Sequence, residues 1–157
     1  MKYQLDYYLI AIFSIFLGSQ ITEAMLLIPY WQSLSPSEFY SYYQEFGPAI
    51  NRFYTVLTIT ALIIPIALSV YYYSFKSPGL PFSLIAAFFA ILFVACYYIY
   101  FKGTNQLFYQ SAFNDVDLKN ELIIWSSWHW GRVVLESLSL VFLIAAVAKN
   151  KGAQADD

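Results

Sequence analysis

Four stretches of this chain, 5–29, 50–75, 81–101 and 122–148, are nearly unbroken runs of apolar side chains. Each is close to the ~20 residues that an α-helix needs to cross a hydrocarbon core of ~30 Å. Lipid offers the backbone no hydrogen-bond partner, so a spanning segment closes its bonds within itself as a helix or with neighbours in a closed barrel. A barrel would show segments of ~10 residues alternating apolar and polar, and the runs 62–68 and 83–95 do not alternate. The fold class read from the sequence is therefore all-α, an integral membrane four-helix bundle.

Composition agrees: 60% of the 157 residues are hydrophobic and 11% charged, against roughly 45–50% and about 25% in soluble domains. The spans leave the connections 30–49 and 102–121, the turn Lys76-Ser77-Pro78-Gly79 and a polar tail, 149–157. The chain reads as a single membrane domain. The short turn ties spans two and three as an antiparallel pair, which implies an up-down-up-down bundle. Lys2, Lys76, Lys149 and Lys151 fall on one side, and Arg52, Lys102 and Lys119 on the other. By the excess of cations in cytoplasmic loops, both termini are expected to be cytoplasmic, in the inner (plasma) membrane of a bacterium. The first run exceeds the 7–15 apolar residues of a secretory leader, so it is read as a retained helix.

A net charge of −2 and the lack of a basic cluster leave no surface for tracking phosphates, which argues against nucleic acid as a partner. Cys96 is the only cysteine, which excludes an internal disulfide or a thiolate metal cluster and points to packing. Ser35-Pro36-Ser37-Glu38 has the form of a helix start, with a capping serine and an acidic first turn. The short helix expected there would carry Phe39, Tyr40, Tyr42, Tyr43 and Phe46 at headgroup level and end at Gly47-Pro48, where the second span opens. Pro65 should kink that span, and the tail should fray.

Ionisable residues at membrane depth cost of order ~2.5–3.5 kcal/mol each, so they mark sites. His129, Arg132 and Glu136 lie three and then four residues apart in the fourth run, which puts them on one helical face. Glu23 lies seven residues before Tyr30, and His129 seven after Leu122. Both therefore fall roughly 10 Å below the outer boundary. Gln20 lies one turn below Glu23, and Asn51, Thr55 and Thr58 form a polar stripe on span two with Arg52 beside it. The inner half is almost wholly apolar. That asymmetry implies an outward-facing pocket, because a channel needs polar groups through the full thickness. The absence of repeats and paired broken helices disfavours a transporter.

Chemically, His129 suits proton transfer near neutral pH. Arg132 suits holding a carboxylate, phenolate or oxyanion, and Glu23 or Glu136 would orient the imidazole or take a proton. Aromatic residues make up 21% of the chain, and a wall of them suits a flat, lipophilic ligand. No cofactor is expected. A metal held by Glu23, His129 and Glu136 is the weaker alternative, since the usual iron triad uses two histidines and one carboxylate. Two blander readings stand beside the site. The charges of Glu23, Arg132 and Glu136 would neutralise one another to fix packing, and His129, flanked by Trp128 and Trp130, would reach interfacial water.

Gly18 and Pro29 bracket the first span, Asn105 follows the third, and Trp125-Ser126-Ser127-Trp128-His129-Trp130-Gly131-Arg132 enters the fourth. In these features the chain resembles the DUF1772, or anthrone oxygenase-like, family of small four-span membrane proteins. The resemblance implies Asn105, Trp128 and Arg132 as site positions, and an oxygenase of a lipophilic aromatic substrate without a cofactor. The chain departs from the family's pattern in Lys102-Gly103-Thr104 before Asn105, where a proline is common, and in His129, where many relatives carry asparagine. The expected function is binding, and in its enzymatic form oxidation, of a small lipophilic phenol-like molecule in a pocket lined by Glu23, His129, Arg132, Gln20, Asn51, Arg52, Asn105, Trp128 and Glu136. The alternative is a non-enzymatic lipid-binding or accessory subunit with structural charges. Expected partners are the lipid bilayer, the ligand, and a second copy or another membrane protein.

Overall fold

The computed structural model describes residues 2–155, and among these every regular element is helical. Helix α1, Lys2–Thr22, passes through a π-helical turn, Glu23–Leu27, into α2, Ile28–Ser33. Helix α3, Pro36–Ser74, runs for 39 residues. Helix α4, Leu80–Cys96, passes through a second π turn, Tyr97–Phe101, into α5, Lys102–Tyr109, and α6 is Asp115–Ala155. All four resulting rods, over 6–33, 36–74, 80–109 and 115–152, are long and apolar enough to cross a membrane.

The rods are longer than the apolar runs. The expected connection 30–49 is almost wholly helical, with a break only at Leu34 and Ser35, and 102–121 shrinks to the residues between α5 and α6. A helix is closed by its own backbone ladder and does not need apolar side chains to continue past a bilayer. Gly47-Pro48 accordingly does not end a separate helix: α3 runs through both Pro48 and Pro65. The expected start does form. Ser35 Oγ accepts from the Glu38 N–H at 3.4 Å, and Glu38 Oε2 accepts from the Ser35 N–H at 2.8 Å, a capping box with Pro36 in the first turn. Asn114 starts α6 in a related way, its Oδ1 accepting from the N–H groups of Val116 and Asp117. Of the expected polar tail, residues 149–155 continue α6 and 156–157 lie outside the described residues.

Two helix ends close in the left-handed conformation without glycine. Lys76 (φ 50°) and Ser111 (φ 51°) follow α3 and α5. In each case the next N–H reaches back to the last turn, Ser77 to the Tyr72 carbonyl and Ala112 to that of Leu107, the paired-bond closure usual at such ends.

The core has two apolar layers. One holds Phe13, Phe16, Leu68, Tyr72, Phe93, Leu143 and the small Ala86, Ala90 and Ala146, which let α4 and α6 pack closely; Ser139 Oγ donates to the Ala86 carbonyl at 2.9 Å across that contact. The other is aromatic, with Trp31, Phe39, Tyr43, Phe101, Phe108 and Trp125. Ser77 meets Asn150 at one end of the molecule and Lys151 covers the Tyr7 ring. At the other end Tyr40 donates to the Phe113 carbonyl and Gln32 to that of Leu122.

Candidate functional site

Between the two apolar layers lies a buried polar one, formed by Gln20 and Glu23 from the first rod and His129, Arg132 and Glu136 from α6. Glu23 opens the first π turn, in which the Ile28 N–H bonds to the Glu23 carbonyl in place of the α-helical partner. Pro29 follows at once and has no N–H for the ladder. A locally widened turn relieves both its missing donor and its ring clash with the preceding turn.

His129 is fully buried. Its ring stacks on Trp125, one helical turn earlier, with centroids 5.2 Å apart and planes 9° from parallel. Its Nε2 lies 3.0 Å from the backbone carbonyl of Gln20. A carbonyl only accepts, so Nε2 carries the proton. Nδ1 then faces Glu23 Oε2 at 3.9 Å. The expectation of an interfacial histidine with its tip in water is thus corrected: flanking tryptophans do not set its depth, and its face of α6 turns inward onto α1.

One turn deeper, Arg132 Nη2 lies 3.7 Å from Glu136 Oε1, and the guanidinium sits 5.0 Å from the Phe101 ring centre. Glu23 is a second carboxylate within electrostatic reach of Arg132. The Tyr54 hydroxyl lies 3.2 Å from the Ser19 carbonyl and within reach of the Glu23 carboxylate. Several atoms of this layer are buried without a hydrogen-bond partner: the Gln20 amide, His129 Nδ1, Arg132 Nε and both Glu136 oxygens. Unpaired buried polar groups cost about 1–3 kcal/mol each, so a cluster of them is unusual in a purely structural core.

The layer borders a cavity of about 370 Å³. Its charged lining residues are Glu23 and Arg132. The rest of the wall is mainly aromatic and hydroxylic, including Trp31, Tyr43, Tyr54, Thr55, Thr58, Tyr97, Phe101 and Trp125. Trp31 is almost fully buried, and its indole N–H has no partner. Asn105 also lines the cavity, and its Oδ1 accepts from Trp125 Nε1 at 3.0 Å.

Of the residues read from the sequence, Glu23, Arg132, Asn51 and Asn105 lie on the cavity wall. His129, Gln20 and Glu136 are buried but are not among the lining residues. His129 stands behind Glu23, its Nδ1 3.9 Å from the Glu23 carboxylate, and Glu23 is the one of the two on the wall. Arg52 is exposed and does not line the cavity. Trp128 also lies off it, partly exposed and stacked on Tyr100 with centroids 5.0 Å apart. Among the described residues no group of three His, Cys, Asp or Glu side chains is placed to hold a metal ion. Helical phase alone would have found Trp125, four residues before His129; nothing in the sequence singles out Trp31 or Tyr54, and Tyr43 is marked there only as an interfacial aromatic.

The chain matches no family model, and no curated protein or solved structure matches it.

Proposed function

We propose that this protein is an integral membrane up-down-up-down four-helix bundle with both termini cytoplasmic, and that its cavity binds a small lipophilic molecule with an acidic, phenol-like group. The observation that carries this reading is the wall itself. Buried Glu23 and Arg132, together with the partnerless Trp31 N–H, stand in an otherwise aromatic lining. Such a combination matches what small-molecule sites use: mostly apolar walls with a few convergent polar groups. Arg132 and Trp31 are donors only, so they suit a ligand oxygen that carries negative charge. Glu23 suits the proton that such a ligand gives up, and His129 positions Glu23 from behind.

In the enzymatic form of this proposal the bound molecule loses a carbon-bound proton to Glu23, molecular oxygen adds to the resulting carbanion, and the hydroperoxide formed on return of the proton loses water to leave a carbonyl, in keeping with the resemblance to anthrone oxygenase-like proteins. A second reading rests on the Arg132–Glu136 pair, which lies within one helix. In it the charges neutralise each other and the chain serves as a lipid-binding or accessory subunit of another membrane protein. Native mass spectrometry in mild detergent, with an alkylphenol as probe, compares wild type with Arg132→Gln. Saturable retention of the probe by wild type and its loss from a folded variant is the expected result. No retention by wild type, with a variant that unfolds, favours the second reading.

A further inference from the structure

The exposed residues of the cavity wall, Asn51, Thr55, Ile59 and Tyr98, lie on α3 and the second π turn. Toward α1 and α6 the cavity is closed by nearly inaccessible side chains, among them Glu23, Trp125 and Arg132. Toward the end of the molecule that carries Tyr40 and Phe113 it is roofed by the aromatic layer. Trp31 packs edge-on against Tyr43 and Trp125 there, and Gly47 lies so close to Tyr109 that a Cβ would meet its hydroxyl at 2.8 Å. In contrast, Ile59 on α3 is 51% exposed and Tyr98 in the second π turn is 67% exposed, although both line the cavity. Thr55 is exposed beside them. Ile59 and Tyr98 lie inside rods long and apolar enough to cross a membrane, 36–74 and 80–109, well away from the rod ends.

We infer that the ligand enters sideways from the bilayer, through a portal between α3 and the π turn Tyr97–Phe101, and that it is an amphiphile whose polar ring seats inside while its alkyl tail stays in the portal. This inference rests on the ligand-binding reading above and specifies its substrate class. The seated group meets Glu23 and Arg132, and the tail lies along Ile59 and Tyr98. The outward opening expected from the sequence is replaced by a lateral one. A side portal admits a molecule longer than the cavity, because the surplus length remains in lipid and costs no burial. It also suits a solute that partitions into the membrane and reaches the site without crossing water.

The test uses the whole chain in phosphatidylcholine vesicles and a long-chain alkylphenol with a photoreactive diazirine on the part of its chain next to the ring, competed by unlabelled alkylphenol. The expected outcome is saturable labelling at Thr55, Ile59 or Tyr98. Ile59→Trp, which fills the portal, reduces it about tenfold, and Tyr98→Ala, at an exposed position, increases the rate of labelling. Saturable labelling at Tyr43 or Tyr109 that ignores both substitutions overturns the lateral route and leaves the pocket standing. Absence of saturable labelling in wild type overturns the portal and the pocket together.

Discussion

His129 donates its Nε2–H to the backbone carbonyl of Gln20 across 3.0 Å, and this one bond decides which ring nitrogen faces Glu23. With Nε2 committed, Nδ1 turns a lone pair or a second N–H toward Glu23 Oε2 at 3.9 Å. Two lone pairs facing each other would repel, so the favourable arrangement holds one proton on the pair, on the ring or on the carboxyl. His129 is the only histidine in the chain, so nitrogen-15 NMR of histidine-labelled protein reads it without overlap. The expected spectrum keeps Nε2 in its protonated form across the accessible pH range. An Nε2 that loses its proton while Nδ1 keeps one contradicts the arrangement.

Removing the ring should also disturb the fold. His129→Ala strips a fully buried ring from Trp125 and leaves the Gln20 carbonyl without its donor. Leaving such a group unsatisfied costs about 1–3 kcal/mol, and the lost packing adds to it. Denaturant titration in micelles measures the loss. Activity lost by this variant alone is therefore not proof of a chemical role, and ligand binding has to be read beside it.

Arg132 and Glu136, 3.7 Å apart and both buried, should be strongly coupled. Glu136→Leu alone removes one of the two carboxylates near Arg132 and is expected to destabilise by up to about 3–5 kcal/mol, the range for breaking a buried pair. The double variant Arg132→Met with Glu136→Leu is expected to recover most of that loss, since a buried ion pair is often replaceable by apolar side chains. A double-mutant cycle on unfolding free energies gives the coupling directly. Additive effects would show that the two charges do not share an environment.

Asn105 and Trp125 form a simpler pair. Their hydrogen bond joins α5 to α6 at the cavity wall. Trp125→Phe and Asn105→Leu should each lower stability, with a coupling of about 1 kcal/mol between them. Stacking on His129 survives in Trp125→Phe, so the same cycle separates the hydrogen bond from the ring contact.

Glycine positions give contrasting expectations. A Cβ on Gly79 would lie 2.4 Å from the Ala146 carbonyl and 2.8 Å from the Tyr72 ring, so Gly79→Ala must push α4 away from α6. Overpacking of this kind costs about 1–3 kcal/mol. Gly18 and Gly131 meet nothing within 4 Å, and alanine there should raise stability by up to about 1 kcal/mol through helix propensity. Ser111→Gly, at a left-handed position, should also stabilise, by roughly 0.5–1 kcal/mol. Thermal melts of the single variants test all four.

The polar layer was largely legible in the sequence because two simple periodicities converge on it. Spacing by three and four put His129, Arg132 and Glu136 on one face, and all three are buried. Counting rise from the ends of two runs put Glu23 level with His129, and the two side chains meet. Rod length was less legible, because hydropathy marks where a helix is greasy and not where its backbone ladder stops; α3 begins at Pro36, well before its apolar run. Trp128 was suggested by the resemblance, whereas helical phase favours Trp125, which stacks on His129. Which wall residues stay exposed, Thr55, Ile59 and Tyr98 among them, was not legible, since that depends on which neighbours close around α3, a property of packing and not of any one span.

Both π turns border the same cavity, with Glu23 in one and Tyr97, Tyr98 and Phe101 in the other. Each acts as a phase shifter. An α-helix advances about 100° per residue, so the widened turn uncouples the angular setting of the segment before it from that of the segment after it. The exposed stripe of α1 and the buried stripe of α2 can then each be optimal, which one unbroken helix would not allow. A regular α-helical ladder drawn through the same residues would instead swing Trp31 around the rod relative to Gln20, so the extra residue absorbed by Glu23–Leu27 is what sets the phase of the two segments. In this chain, length at two sites is therefore as much a determinant of the cavity as the identity of any side chain.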